Sequence, residues 1–261
     1  MAGARALRSC SGTNRTKKDG IMHKSIYKLA AGCVAMTMMV AAAPAIAQDE
    51  AAAETESGPI TLTGGVSLVS DYRFRGVSLS DKDFVVQPYL TVTHESGFYV
   101  GVWGSNVAEN TGDDVEVDLY AGFSGGDAIT YDISATYYVY PGVSSFNYAE
   151  VTGKLGTTIG PATVGAQLSY VPEQENTSDT DNIYVAGNAA IAIPNTPVTL
   201  TGSVGYEDGF FGDDKIDWSL GASASSQGFT LGVAYVDTNR RSTFAPRDSK
   251  AGVVFTLSYG F

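Results

Sequence analysis

From Ile60 to Phe261, apolar and polar residues alternate with a period of two, the spacing that places successive side chains on opposite faces of a β-strand. Twelve such runs are separated by turn-rich segments: 60–74, 84–94, 98–106, 115–123, 128–140, 147–159, 162–171, 182–193, 198–206, 216–224, 229–237 and 250–261. Most are close to the roughly 9–11 residues that a tilted strand needs to cross a bilayer. The pattern predicts an all-β fold, a transmembrane antiparallel up-and-down β-barrel of 12 strands spanning residues 60–261.

The connections alternate in length. After even-numbered runs they are short, as at Glu95-Ser96-Gly97, Ser124 to Asp127, Gly160-Pro161, Pro194 to Pro197 and Ser225 to Gly228. After odd-numbered runs they are longer and polar: 75–83, 107–114, 141–146, 172–181, 207–215 and 238–249. Short turns at one end and long loops at the other are the outer-membrane pattern, and a soluble sandwich has no reason to alternate so regularly.

The two faces differ sharply. The fourth run sets Val115, Val117, Leu119, Ala121 and Phe123 against Glu116, Asp118 and Tyr120. The ninth sets Val198, Leu200, Val204 and Tyr206 against Thr199, Thr201 and Ser203. On the apolar parity, Tyr72, Phe74, Phe84, Tyr137, Tyr170, Tyr206, Trp218 and Tyr235 fall near the long loops. Phe98, Phe123, Tyr131, Phe229 and Tyr259 fall near the short turns. Rings at both strand ends with aliphatic residues between them match the two aromatic girdles of a membrane barrel, whereas a sandwich core places its bulkiest rings at mid-strand. The apolar parity is therefore expected to meet outer-membrane lipid, and the polar parity to line a lumen. The last run, Val253 to Phe261, ends on an aromatic residue like the signal read by the barrel assembly machinery, so Phe261 is the expected contact for that partner.

Residues 1–47 read as a leader with a signal peptide proper over 22–47. His23, Lys24 and Lys28 are basic, Leu29 to Ala43 is apolar, and Ala45-Ile46-Ala47 is a small-x-small cleavage site. Met1 to Ile21 reads as an over-extended start, with Met22 as the alternative. The acidic, Ala-rich stretch 48–59 has no periodicity and is expected to be a disordered periplasmic lead-in. Such a chain is exported to the outer membrane of a Gram-negative cell.

Cleavage after Ala47 leaves nine basic and 27 acidic residues, a net charge of −18, and no Cys. That balance excludes nucleic acid as a partner, because phosphate binding needs a basic surface. Disulfide and thiol chemistry are excluded with the cysteines. His94 is the one mature histidine, on the lipid-facing parity beside a short turn, which argues against a His-based hydrolase; no GxSxG or HExxH motif occurs. No enzyme activity, cofactor or metal site is expected.

The chemistry lies in the inward charges. Asp71, Arg73 and Arg75 share the polar parity of the first run, and Glu116, Asp118, Glu150 and Asp217 fall at similar height on other runs, with Lys154 a little lower. Two guanidinium groups facing several carboxylates make either a charged constriction that filters solutes, or a salt-bridge network that fills and stabilises the lumen. The long loops add acidic clusters, at Asp81 and Asp83, at Glu173 to Asp181, and at Glu207, Asp208, Asp213 and Asp214, without Ca²⁺-loop spacing.

The stretch Ser70-Asp71-Tyr72-Arg73-Phe74-Arg75-Gly76-Val77-Ser78 resembles the opening motif of the TorF-like porin family of proteobacterial outer membranes. Gln87-Pro88, Gly97 to Ser105 and Val117 to Gly122 match the same family, specifically over 60–123 and more loosely to Phe261. The resemblance implies an outer-membrane β-barrel with a channel role and brings no catalytic residues. The function expected is passive diffusion of small polar solutes or cations through a narrow charged lumen. The alternative is a closed structural or adhesive barrel whose acidic loops bind a partner. No feature marks a subunit interface.

Overall fold

The computed structural model describes residues 59–108, 114–240 and 248–261. The expected leader and nearly all of the lead-in lie outside the described residues. Twelve long strands close into one antiparallel barrel: β1 (Ile60–Val69), β4 (Val85–His94), β5 (Phe98–Asn106), β6 (Val115–Gly125), β7 (Ile129–Val139), β8 (Tyr148–Ile159), β9 (Ala162–Val171), β10 (Asn182–Ala192), β11 (Val198–Gly209), β12 (Lys215–Ser226), β13 (Phe229–Thr238) and β14 (Gly252–Gly260). Two two-residue strands, β2 (Arg73–Phe74) and β3 (Val77–Ser78), form a separate small hairpin.

Each long strand pairs with its sequence neighbour, and β1 closes the ring by pairing with both β4 and β14. Val69 stands at the closure, opposite Val85 on one side and Thr256 on the other. Closure leaves no free edge strand in the ring, so the strands supply one another's backbone partners, as the bilayer interior requires. The last residue joins the seal: the backbones of Gly64 and Phe261 exchange hydrogen bonds of 3.0 and 2.9 Å.

The exterior is apolar. Leu119, Ile133, Leu155, Leu220 and Phe255 all stand exposed toward mid-strand, Leu220 retaining 69% of its surface. Exposed rings flank this band, with Phe84, Tyr137, Tyr170, Tyr206 and Tyr235 toward the long loops and Phe98, Tyr131, Phe229 and Tyr259 toward the short turns. A water-soluble monomer does not leave a continuous apolar belt of this extent uncovered, and hydrocarbon is the solvent that suits it. Among the described residues no helix is long and apolar enough to cross a membrane.

The first strand departs from its predicted length. It ends at Val69 instead of continuing to residue 74, and residues 70–83 turn into the barrel. Tyr72 and Phe74, expected in the lipid-facing girdle, are instead buried at 3% and 1% exposure. The alternation ran on through these residues because an inturned hairpin has the same period of two as a wall strand. A second shift concerns β11 and β12, which run to Gly209 and from Lys215, so Glu207 and Lys215 belong to wall strands and not to the 207–215 loop.

Candidate functional site: a hairpin clamped in the lumen

The inturned segment is built by local turn chemistry. Arg75 and Gly76 sit between β2 and β3 with φ of 44° and 85°, the paired positive values of the tight hairpin turn whose twist matches its strands. A Cβ on Gly76 would lie 2.8 Å from Thr238 Cβ and 2.9 Å from Asp217 Cβ, so the turn presses against the wall. The hairpin extends past its formal strands. Leu79 N donates to Tyr72 O at 2.8 Å, and Tyr72 N donates to Ser80 Oγ at 3.0 Å.

Arg75 at its tip is clamped. Its guanidinium donates through Nη2 to Glu150 Oε2 and through Nη1 to Glu207 Oε1, both at 2.6 Å. Lys215 pairs with the other Glu207 oxygen and donates from Nζ to the Arg75 carbonyl at 2.8 Å. Two cations therefore meet two carboxylates, and all four side chains are buried. The rings of Phe74 and Tyr184 lie 4.5 and 4.2 Å from the guanidinium carbon, adding cation–π attraction. Burial works against the charge on Arg75, but Glu150 and Glu207 outweigh it and hold its pKa well above the usual value.

Arg73 does not face the far wall. It pairs with Asp71 on its own segment at 2.7 Å and donates to the carbonyls of Gly76, Asp248 and Lys250 at 3.1, 3.2 and 2.8 Å. Its partner Asp71 also accepts from Ser78 Oγ at 2.6 Å. The two arginines expected to act together are thus divided, one anchoring the hairpin base and the other its tip.

Aromatic packing fills the remaining space at the long-loop end. Tyr72 packs on Trp103 at 5.5 Å between ring centroids, and Tyr138 stacks on Tyr148 at 4.3 Å. With Phe74, Leu79 and Phe210 they form a buried apolar cluster inside the barrel.

The other expected residues line the wall around this plug. Glu116 and Asp118 stand two apart on β6, both without exposed surface, and the Tyr72 hydroxyl donates to Glu116 at 3.5 Å. No hydrogen bond from a described donor reaches either Asp118 oxygen. Asp118, Glu150 and half-buried Lys154 border a cavity of about 50 Å³ with Tyr99, Trp103 and Tyr138. Asp217 on β12 accepts from the Tyr184 hydroxyl at 3.3 Å. Sequence reasoning missed Glu207 and Lys215 by placing them in a loop, and it missed Asp132, which accepts from Tyr99 at 2.7 Å. For Glu207 and Lys215 the available signal was their inward parity with Gly205 and Asp217, and for Asp132 it was the polar face of its own run. Among the described residues no three His, Cys, Asp or Glu side chains group to hold a metal ion.

A closed twelve-stranded antiparallel barrel with a polar interior and an apolar exterior is the porin architecture. The chain belongs to the family described as "Bacterial protein of unknown function (Gcw_chp)", whose model matches residues 52–260. This match does not carry the TorF-like name suggested by the motifs. No curated protein sequence matches the chain. Among solved structures the fold is similar to a "KdgM porin" (TM-score 0.53, 8% identity, 76% of this chain and 98% of that one). It is also similar to a "NanC porin" structure (TM-score 0.50, 11% identity, 77% of this chain and 99% of that one). A third is titled "KdgM porin in complex with disordered oligogalacturonate" (TM-score 0.50, 8% identity, 77% and 97%). Identities this low speak to the fold alone.

Proposed function

We propose that the protein is an outer-membrane porin through which small polar solutes and ions diffuse passively, with the inturned hairpin narrowing the long-loop end of the lumen. The observation that carries this reading is an apolar belt around a wall whose inner face is charged and hydroxylated. Lipid outside and water inside satisfy both surfaces, and the similarity of fold to porins supports the same role.

The lumen favours cations. Among the described residues the inward carboxyl groups, Asp71, Glu116, Asp118, Asp132, Glu150, Glu207 and Asp217, outnumber the inward cations Arg73, Arg75, Lys154 and Lys215. An excess of fixed negative charge in a low-dielectric wall raises the local concentration of counter-ions. The reading includes export by the 22–47 signal and recognition of the Phe261-terminated last strand by the assembly machinery. It includes no catalysis and no energy source.

The packing around Tyr72, Phe74 and Arg75 favours a second reading, a permanently closed barrel whose acidic loops bind a partner. Planar-bilayer recording separates the two. Small, cation-preferring steps from the refolded mature chain are the expected result. No steps from the wild type, nor from a variant with Arg75 replaced by Ala, would overturn transport in favour of the closed barrel.

A further inference from the structure

Beneath the hairpin lies a second cavity of about 200 Å³, reaching from Tyr72 and the Asp71–Arg73 pair down to Ala190 and Ser258 near the short-turn end. Its chemistry differs from the charged wall of β6 and β8. Among the described residues that line it, the charged ones are Asp71 and Arg73, which neutralise each other at 2.7 Å. The rest of the described lining is amide, hydroxyl and aliphatic, with the Tyr72 ring.

Several of those neutral groups lack partners. Gln87 is 1% exposed; its Nε2 donates to Ser105, but its buried Oε1 receives no hydrogen bond from a described residue. The side chains of Asn188, Thr201 and Thr256 form no hydrogen bond with a described residue. Ser67 with Ser258 and Ser203 with Ser219 form hydroxyl pairs of 2.8 and 2.7 Å, in which either oxygen can donate. Between these polar groups, Val69, Val236, Val254 and the Tyr72 ring present apolar surface. A buried acceptor such as Gln87 Oε1 costs free energy until something donates to it.

We infer that this cavity is a binding site for a small neutral polyhydroxylated solute, a polyol or a single sugar ring, resting against the underside of the hairpin. Hydroxyl groups both donate and accept, which suits a wall of one orphaned acceptor, an amide and ambivalent hydroxyls. The C–H faces of such a solute suit the valines and the tyrosine ring. An ion would lose its hydration shell here and meet no opposite charge left unpaired. The cavity is large enough for several waters, and so for a single sugar ring.

The inference deepens the porin reading by naming a solute class for the same lumen. Equilibrium dialysis of the refolded mature chain in detergent tests it, with radiolabelled glucose and sorbitol as neutral probes and gluconate and glucosamine as charged ones. Saturable binding of the neutral probes at one equivalent per chain, at least about tenfold tighter than the charged ones, is expected. Asn188→Leu and Thr201→Val should each weaken it by about tenfold, the loss of roughly one hydrogen bond. The compact gel mobility of the unheated barrel shows that each variant is folded, and Thr256→Val replaces any that is not. No saturable binding means that the cavity holds only water, and overturns the inference. So does equal binding of charged probes, or binding untouched by the folded variants. Conductance steps without sugar binding would sink this inference and leave transport standing; binding without conductance would do the reverse.

Discussion

Arg75 donates to Glu207 at 2.6 Å across 132 positions of sequence, joining the tip of an inturned hairpin to the wall of the barrel. Glu150, the other carboxylate on the same guanidinium, stands three strands further round on β8. One side chain thus bridges two separated parts of the wall through the interior. The clamp holds the tip of the hairpin to the wall, while Arg73 holds its base to the carbonyls of Asp248 and Lys250.

Replacing Arg75 by Ala leaves Glu150 and Glu207 facing each other, with only Lys215 between them and the hairpin tip. Removing one partner of a buried pair costs about 3–5 kcal/mol. The folded barrel in micelles should unfold at a lower urea concentration, and single-channel conductance should rise as the hairpin leaves its seat. The raised pKa of Arg75 means that its contribution is complete below the group's ordinary value and is lost only as pH climbs through the raised one. Titrating the wild type from neutrality to about pH 9 should therefore leave this clamp intact.

Gly76 tests the turn independently of charge. Its φ of 85° and its approach to Thr238 and Asp217 both oppose a Cβ. Gly76→Ala should cost about 1–3 kcal/mol in the same unfolding measurement, with larger conductance than the wild type. Unchanged conductance would show that the hairpin stays seated despite the strain.

Leu220 stands at mid-height on β12, facing outward. An arginine there would enter hydrocarbon, so Leu220→Arg should destabilise the barrel by about 2–4 kcal/mol in lipid vesicles. A loss below about 1 kcal/mol would place this face at the interface, away from the bilayer midplane.

Asp118 and Lys154 border the same small cavity. Asp118→Asn should move the reversal potential in a salt gradient toward weaker cation preference, and Lys154→Gln should move it the other way. Shifts of the same sign, or none in either variant, would show that ions do not pass this cavity.

The wall was legible in the sequence nearly residue by residue. The third run, expected over 98–106, is β5 over Phe98–Asn106, and the seventh, over 162–171, is β9 over Ala162–Val171. Period-two alternation decides this locally, because each wall residue meets only lipid or lumen. The inward placement of Glu116, Asp118, Glu150 and Lys154 followed from the same parity. The inturned hairpin did not, since Tyr72 and Phe74 alternate with Asp71, Arg73 and Arg75 whether they point at lipid or at a packed interior.

The sequence by itself determined a closed barrel with a greasy outside and a charged inside, because strand parity and loop length are properties of neighbouring residues. Only the tertiary structure decided that residues 70–83 fold inward and that Arg75 meets Glu150 and Glu207. It alone revealed a neutral cavity beside the charged one. Those outcomes depend on which strands curve round to face each other across the lumen, and no local pattern encodes a distance across a closed ring.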